Sequence, residues 1–211
     1  MTNLTELYDA IVAGQLEKAV AVTQQAINEG AEPQSVITDN MIPGMEEIGK
    51  RFEEGKAFVP NLLMSARAMK GALELLKPLL KENSAASRGK VLIGTVKGDL
   101  HDIGKNLVSS MLEGCGFEVV NLGIDVSGEK FVEAVRNEKP DLLCLSALLT
   151  TTMEQMKLVL EALSAAGLRG KVKVMVGGAP LSENYARNIG ADGYSSNANG
   201  AVMLARQLIG R

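Results

Sequence analysis

Five short runs of β type, separated by helical segments, restrict the fold of this chain more than any other feature of its sequence. They are Lys90–Val96, Glu118–Leu122, Asp141–Ser146, Lys171–Val176 and, more weakly, Gly193–Ser195. Helical patterning covers about Gly104–Glu113, Gly128–Asn137, Thr152–Ala165, Ser182–Asn188 and Ala198–Leu208. Strands that alternate with helices in this way need crossover connections, which make the sheet parallel and cover both of its faces. The predicted class is therefore α/β, a five-stranded parallel, doubly wound sheet. Ligands in such sheets bind beyond the carboxyl ends of the strands. The loop around His101, the segment Ser146–Thr152, the pair Gly177-Gly178 and the stretch Tyr194–Asn199 all fall at those ends.

The first 82 residues follow a different period. Leu62, Ala66, Met69, Leu73, Leu76 and Leu80 recur at steps of four and three, one apolar stripe along a long helix. Ile37, Met41, Met45, Ile48 and Phe52 make a similar stripe, which Pro43 should kink or interrupt. Shorter helices are expected over Thr5–Ala13 and Gln15–Asn28, with Gly14 and Gly30 as their stops. Four amphipathic helices with short connections read as a small bundle. Met41, Met45, Met64 and Met69 are mostly core in this reading. Glu82 to Gly89 is polar and small, so the expected division is helical residues 1–82, a linker at 83–89 and an α/β domain over 90–211.

Function turns on the chain's single histidine, in Gly98-Asp99-Leu100-His101-Asp102-Ile103-Gly104-Lys105-Asn106, directly after the first strand. One imidazole cannot build a zinc site, which takes three or four protein ligands. It does suit a metal whose other positions a macrocycle fills, as the one axial ligand. Asp99 stands two residues earlier, placed to accept the proton of the other ring nitrogen and so to fix the ligand's tautomer. A phosphate loop of G-x-G-x-x-G type is not present here. A phospho-acceptor receiver site would need an acidic cluster and a strand-end lysine, of which Asp99 and Asp102 give only part. The bland alternative is a helix-start loop capped by Asp102 or Asp99, with His101 merely exposed.

Ser146-Ala147-Leu148-Leu149-Thr150-Thr151-Thr152 places four hydroxyls between a buried strand and a helix. A turn and an N-cap account for Thr151 or Thr152, and a polar ligand group accounts better for the rest. Gly177 and Gly178 allow a bulky group close to the backbone. Ser195 to Gly200 is unspecific alone. Net charge is -3 with only seven aromatic residues and no Trp, which removes both the electrostatic and the stacking basis for nucleic-acid binding. No apolar run reaches the roughly 20 residues of a membrane span, and residues 1–10 lack the apolar core of a signal peptide. Cys115 and Cys144 show no CxxC spacing, so a reduced, cytoplasmic protein is expected.

Asp99-Leu100-His101-Asp102-Ile103-Gly104, then Ser146-Ala147-Leu148, then Gly177-Gly178 resembles the D-x-H-x-x-G, S-x-L, G-G signature of cobalamin-binding domains. Residues 45–80, with Gly49, Phe52, Gly55, Phe58 and Pro60 in a G-x-x-F-x-x-G-x-x-F-x-P pattern, resemble the helical cap that precedes such domains. The whole chain is similar to the small corrinoid methyl carriers of methylamine, methanol and methoxyaromatic methyltransferase systems, and to the cobalamin module of methionine synthase. The resemblance implies a four-helix-bundle cap followed by a Rossmann-like, or flavodoxin-like, cobalamin-binding domain. His101 would replace the corrinoid's own base below cobalt (base-off, His-on), Asp99 would hold its other nitrogen and Thr152 would continue the relay. Gly98, Leu100, Asp102, Ile103 and Gly104 complete that loop. Ser146, Leu148 and Thr150 would contact the nucleotide tail, Gly177 and Gly178 would give it room, and Tyr194, Asn197 and Ala198 would line the far end. Phe52 and Val59 match cap residues that shield the methyl-bearing face.

The same resemblance implies a carrier that is not catalytic alone, its cobalt alternating between methyl-Co(III) and Co(I). Its partners would be a substrate-specific methyltransferase, a second methyltransferase passing the methyl to a thiol or tetrahydrofolate, and a reductive reactivation protein. Two other functions share the D-x-H-x-x-G loop: the small cobalamin subunit of an adenosylcobalamin mutase, and a cobalamin sensor. The cap counts against the first, and the acidic pI, about 5.4, without a basic segment, against the second.

Overall fold

A computed structural model of the chain describes residues 3–79 and 88–210. These fall into two units: residues 3–79 with Ser110–Gly116, and residues 88–109 with 117–210. Most of the expected linker, residues 83–87, lies outside the described residues, as does Leu80 of the long apolar stripe.

The helical unit contains α1 (Thr5–Val12), α2 (Leu16–Asn28), α3 (Pro33–Val36), α4 (Ile42–Glu53) and α5 (Val59–Leu76). α5 is the long helix of the four-and-three stripe, and Leu62, Ala66, Met69, Leu73 and Leu76 are all buried. Met41, Met45 and Ile48 are buried with them, whereas Met64 is exposed: it stands off the stripe, on the opposite side of α5. Pro43 does not break its helix. A π-turn at Ile37–Met41 joins α3 to α4, and Pro43 falls in the first turn of α4, where a missing N–H costs least. Ser110–Gly116 belongs to this unit because of what it touches. Lys70 pairs with Glu113 at 2.6 Å, and a β-carbon on Gly114 would lie 3.0 Å from Ala66.

The other unit holds β1 (Lys90–Thr95), β2 (Glu118–Asn121), β3 (Leu142–Ser146), β4 (Lys173–Gly177) and β5 (Gly193–Ser195). All pairings are parallel, in the order β2-β1-β3-β4-β5. The helices are α6 (Ile103–Gly114), whose last residues from Ser110 belong to the helical unit, α7 (Gly128–Glu138), α8 (Met153–Ala165), α9 (Glu183–Asn188) and α10 (Ala198–Ile209). β4 begins two residues later than its apolar run, because Arg169–Lys171 forms a 3-10 turn. One face of the sheet, through Leu92, Leu143, Leu145, Val174 and Val176, packs with Phe131, Val135, Met156, Val159 and Leu163 of α7 and α8. Gly94 leaves space for the Phe131 ring, whose edge would stand 2.8 Å from a β-carbon there. Chain order reverses between β1 and β3, which makes the crevice at their carboxyl ends the topological switch point.

Candidate functional site

Register gathers the strand ends. Thr95 is paired with Ser146, Ser146 with Gly177, and Gly177 with Ser195. At the usual spacing between strands, this row of four residues spans about 14 Å. Above it the loop from β1 to α6 carries His101.

Asp99 organises that loop. It is fully buried, and its carboxylate collects donors from three places. Oδ1 accepts the His101 backbone N–H at 3.1 Å and faces His101 Nδ1 at 2.8 Å. Oδ2 accepts the N–H groups of Leu148, at 2.7 Å, and Leu149, at 3.2 Å. The Thr152 hydroxyl lies 2.7 Å from the same oxygen and 2.9 Å from the Leu149 carbonyl. Burial raises the carboxyl's pKa, but the bonds from Leu148, Thr152 and His101 outweigh it and hold the group well below the usual carboxylate range. Asp99 is therefore an anion at neutral pH and offers no proton. Nδ1 of His101 must supply the hydrogen, which leaves the lone pair on Nε2.

Thr151 or Thr152 was the expected N-cap of α8, and the resemblance also placed Thr152 beside Asp99. Thr152 occupies the cap position, but its side chain makes no capping bond to the helix, because the hydroxyl is engaged with Asp99 and Leu149. Thr95, fully buried, donates from its hydroxyl to the His101 carbonyl at 2.9 Å. Gly98, at φ 80°, donates its N–H to Asp125 at 2.7 Å, and Asp125 itself adopts a left-handed φ of 52°. Thr95 and Asp125 were not singled out in the sequence; only their positions, at a strand end and in the loop after β2, hinted at them.

Around the imidazole, whose side chain is 50% exposed, stand apolar groups that a soluble protein usually hides. Ile103 is 85% exposed and Leu100 67%, with Leu148 and Leu149 also open to solvent. Asp102, Gly104 and Thr150 are exposed as well, and Ser146 is half-buried. Gly178 has φ 142°, and a β-carbon there would overlap the Ala147 carbonyl oxygen, so glycine is required. At the far end of the row the expected residues do structural work. Asn197 caps α10 by accepting the Gly200 N–H at 2.7 Å, Ala198 is buried, and Tyr194 packs on the sheet's core. In the helical unit Phe52 is half-buried, while Val59 and its neighbour Phe58 are exposed.

An Asp-oriented imidazole at the switch point of a parallel sheet, ringed by exposed apolar side chains, defines a cofactor-binding α/β protein. A family described as a B12 binding domain matches residues 89–203, and a second family of the same description matches residues 4–77. Over 207 residues the chain is 45% identical to the dimethylamine corrinoid protein of Methanosarcina barkeri, covering 98% of this chain and 97% of that one. A cobalamin-binding protein from Desulfitobacterium hafniense DCB-2 superposes with a TM-score of 0.84 at 33% identity, covering 99% of each chain. In the methanol:cobalamin methyltransferase complex MtaBC from Methanosarcina barkeri, one chain superposes with a TM-score of 0.84 at 34% identity, covering 98% of this chain and 79% of that one. The chain belongs to the B12-binding corrinoid proteins.

The residues present fit a corrinoid. Among the described residues no group of three or more His, Cys, Asp or Glu side chains converges to hold a metal ion, so the donor set is one oriented imidazole. A single nitrogen donor suits a metal already bound in a macrocycle, and the exposed Leu100, Ile103, Leu148 and Leu149 suit the broad apolar face of such a ring.

Proposed function

We propose that this chain carries a methyl group, held on corrinoid cobalt, between a substrate-specific methyltransferase and a second methyltransferase serving a thiol or tetrahydrofolate acceptor. The observation that carries the reading is the Asp99–His101 pair, whose hydrogen bond commits Nδ1 and leaves Nε2 as a ligand. The bound group supplies a cobalt atom that takes up and gives away the methyl.

This chain's residues hold, orient and tune. His101 would be the residue that holds the metal, through Nε2. Asp99, braced by Thr152 and by the Leu148 and Leu149 amides, fixes the ring's tautomer and aim. Gly98, Leu100, Asp102, Ile103 and Gly104 shape the loop around it. Ser146, Leu148 and Thr150 receive the nucleotide tail, and Gly177 and Gly178 leave the row of strand ends bare enough to admit it. Tyr194, Asn197 and Ala198 close the far end. Phe52 and Val59 would be the helical unit's residues that guard a bound methyl group. The relatives' names support the partners, since one solved relative is part of a complex named for a methyltransferase. A reductive reactivation protein completes the set. No helix among the described residues is long and apolar enough to cross a membrane; the place of action proposed for the carrier is the cytoplasm.

The test uses the tag-free chain, because its one histidine makes the ligand unambiguous. Reduced to cobalt(II) after reconstitution with cobalamin, the wild type should show an axial nitrogen splitting that changes when histidine is 15N-labelled. His101→Ala should keep corrinoid through its tail and lose that response. A splitting indifferent to labelled histidine would reject the reading. Methyl loss from the loaded protein should require an added methyltransferase; spontaneous transfer to thiol at the same rate would remove the need for a partner.

A further inference from the structure

One charged side chain beside the histidine loop is buried without a role in the site described so far. Lys105, in the first turn of α6, is 4% exposed. Burying an ammonium is costly unless its hydrogens are used. Lys105 Nζ donates to Asn106 Oδ1 at 2.6 Å and to Asn121 Oδ1, at the end of β2, at 2.8 Å. Asn106 Nδ2 in turn donates to the Asp102 carboxylate at 3.0 Å, and Asn121 Nδ2 donates to Asn106 Oδ1 at 3.2 Å. Asn121 Oδ1 also accepts the Gly123 N–H at 3.0 Å.

Both amides have only one workable orientation. An ammonium has donors alone and a carboxylate acceptors alone, so the Asn106 oxygen must face Lys105 and its nitrogen must face Asp102. The result is a cation joined to an anion through a polarised amide, with a second amide fastening it to β2. Burial lowers the Lys105 amino group's pKa, and the Asp102 charge opposes that shift. A Leu or Met would fill the same volume without that penalty. The residue earns its place by what it ties together.

We propose that Lys105 is a positioning residue for His101, acting through Asn106 on Asp102 and through Asn121 on the end of β2. The inference rests on the reading of His101 as the lower ligand. The incoming side of the loop is held by Asp99, which takes the His101 N–H, and the His101 carbonyl is held by Thr95. The outgoing side has the lysine relay. An imidazole that must meet a metal within a few tenths of an ångström needs both sides held, because slack on either side widens the range of ring positions.

The experiment compares wild type, Lys105→Met, Asp102→Ala and the double variant, all full-length and tag-free. Amide hydrogen exchange in residues 101–106 of the cofactor-free protein should quicken by at least about tenfold in Lys105→Met, while β1 and α8 keep their protection. The lone imidazole's NMR signal should broaden or split. After reconstitution, the fraction of cobalt(II) showing the histidine nitrogen should fall several-fold, with corrinoid retained. The double variant should be no looser than the worse single variant, since both break one relay. Unchanged exchange and an unchanged imidazole signal in Lys105→Met, or strictly additive loosening in the double, would overturn the proposal. Should Lys105→Met not fold, Asn121→Ala breaks the relay with the cation in place and must loosen the same residues. A wild type without the histidine nitrogen signal would instead defeat the ligand assignment, while the exchange data still judge the relay.

Discussion

The Asp99 carboxylate and the His101 imidazole meet at 2.8 Å, Oδ1 to Nδ1, although the two residues differ sharply in exposure. The acid is fully buried and the imidazole half open. The buried partner is therefore the fixed reference, and the histidine takes its direction from it. Four further donors hold Asp99 in place, three of them from residues 148–152. Anything that disturbs that carboxylate should disturb the imidazole.

Asp99→Asn replaces one acceptor oxygen with an NH2 group that can only face other donors. Leaving buried donors unsatisfied costs about 1–3 kcal/mol each, so the cofactor-free protein should lose about 3 kcal/mol or more. Urea unfolding measures the loss. The imidazole 15N shifts should move at the same time, because Nδ1–H no longer has an ionised acceptor. A variant as stable as wild type with unmoved shifts would contradict the role given to Asp99.

Thr152 separates hydroxyl from shape. Thr152→Ser keeps the donor to Asp99 and should stay within about 1 kcal/mol of wild type, whereas Thr152→Val should cost about 1.5–3 kcal/mol, the usual worth of a hydrogen bond to a charged group. The comparison is made by denaturant midpoint at constant slope. Equal effects of Ser and Val would show that the hydroxyl contributes little.

Gly178→Ala tests the bare stretch at the end of β4. With φ at 142° and Ala147's carbonyl in the way, the backbone term alone should cost about 1–3 kcal/mol, and corrinoid retention should fall. Gly104→Ala, where a β-carbon meets nothing within 4 Å, is the control and should be far milder.

Cys144 lies in β3, buried on both faces, and burial pushes its thiol well above the ordinary 9.0. In a Cys115→Ala background, alkylation should therefore proceed only as fast as the protein opens. The sign for stability follows: the unfolded chain loses this proton above pH 9 and the folded chain does not. The thiol's contribution is complete below that pH and declines as pH rises past it, by up to about 1.4 kcal/mol per unit. Cys144→Ala should show a shallower decline at alkaline pH; an identical slope would contradict the shift.

Much of this was legible in the sequence. The apolar runs at β1, β3 and β4 and the stripe on α5 mark their elements because burial on both faces and burial on one helical face leave different periods. The Asp99–His101 pair was legible for a similar reason, since an aspartate two residues before an imidazole can reach its ring nitrogen. Harder to see were residues whose job depends on a distant partner. A cap on α8 fitted Thr151 or Thr152 equally, and only the arrival of Asp99 shows why the Thr152 hydroxyl does not cap the helix. The capping of α10 by Asn197, a residue expected at the far end of the ligand row, was not read from the sequence. Pro43 looked like a break, and it falls instead in the first turn of α4, just after a π-turn.

The sequence by itself determined which segments are strands and helices, and which loop pairs Asp99 with His101, because these follow from patterns a few residues long. Strand order and register were decided only in the tertiary structure. A strand buried on both faces is apolar throughout, so its pattern carries no information about its neighbour or its alignment. That alignment sets Thr95, Ser146, Gly177 and Ser195 side by side and brings the amides of Leu148 and Leu149 to Asp99 from 49 and 50 residues away.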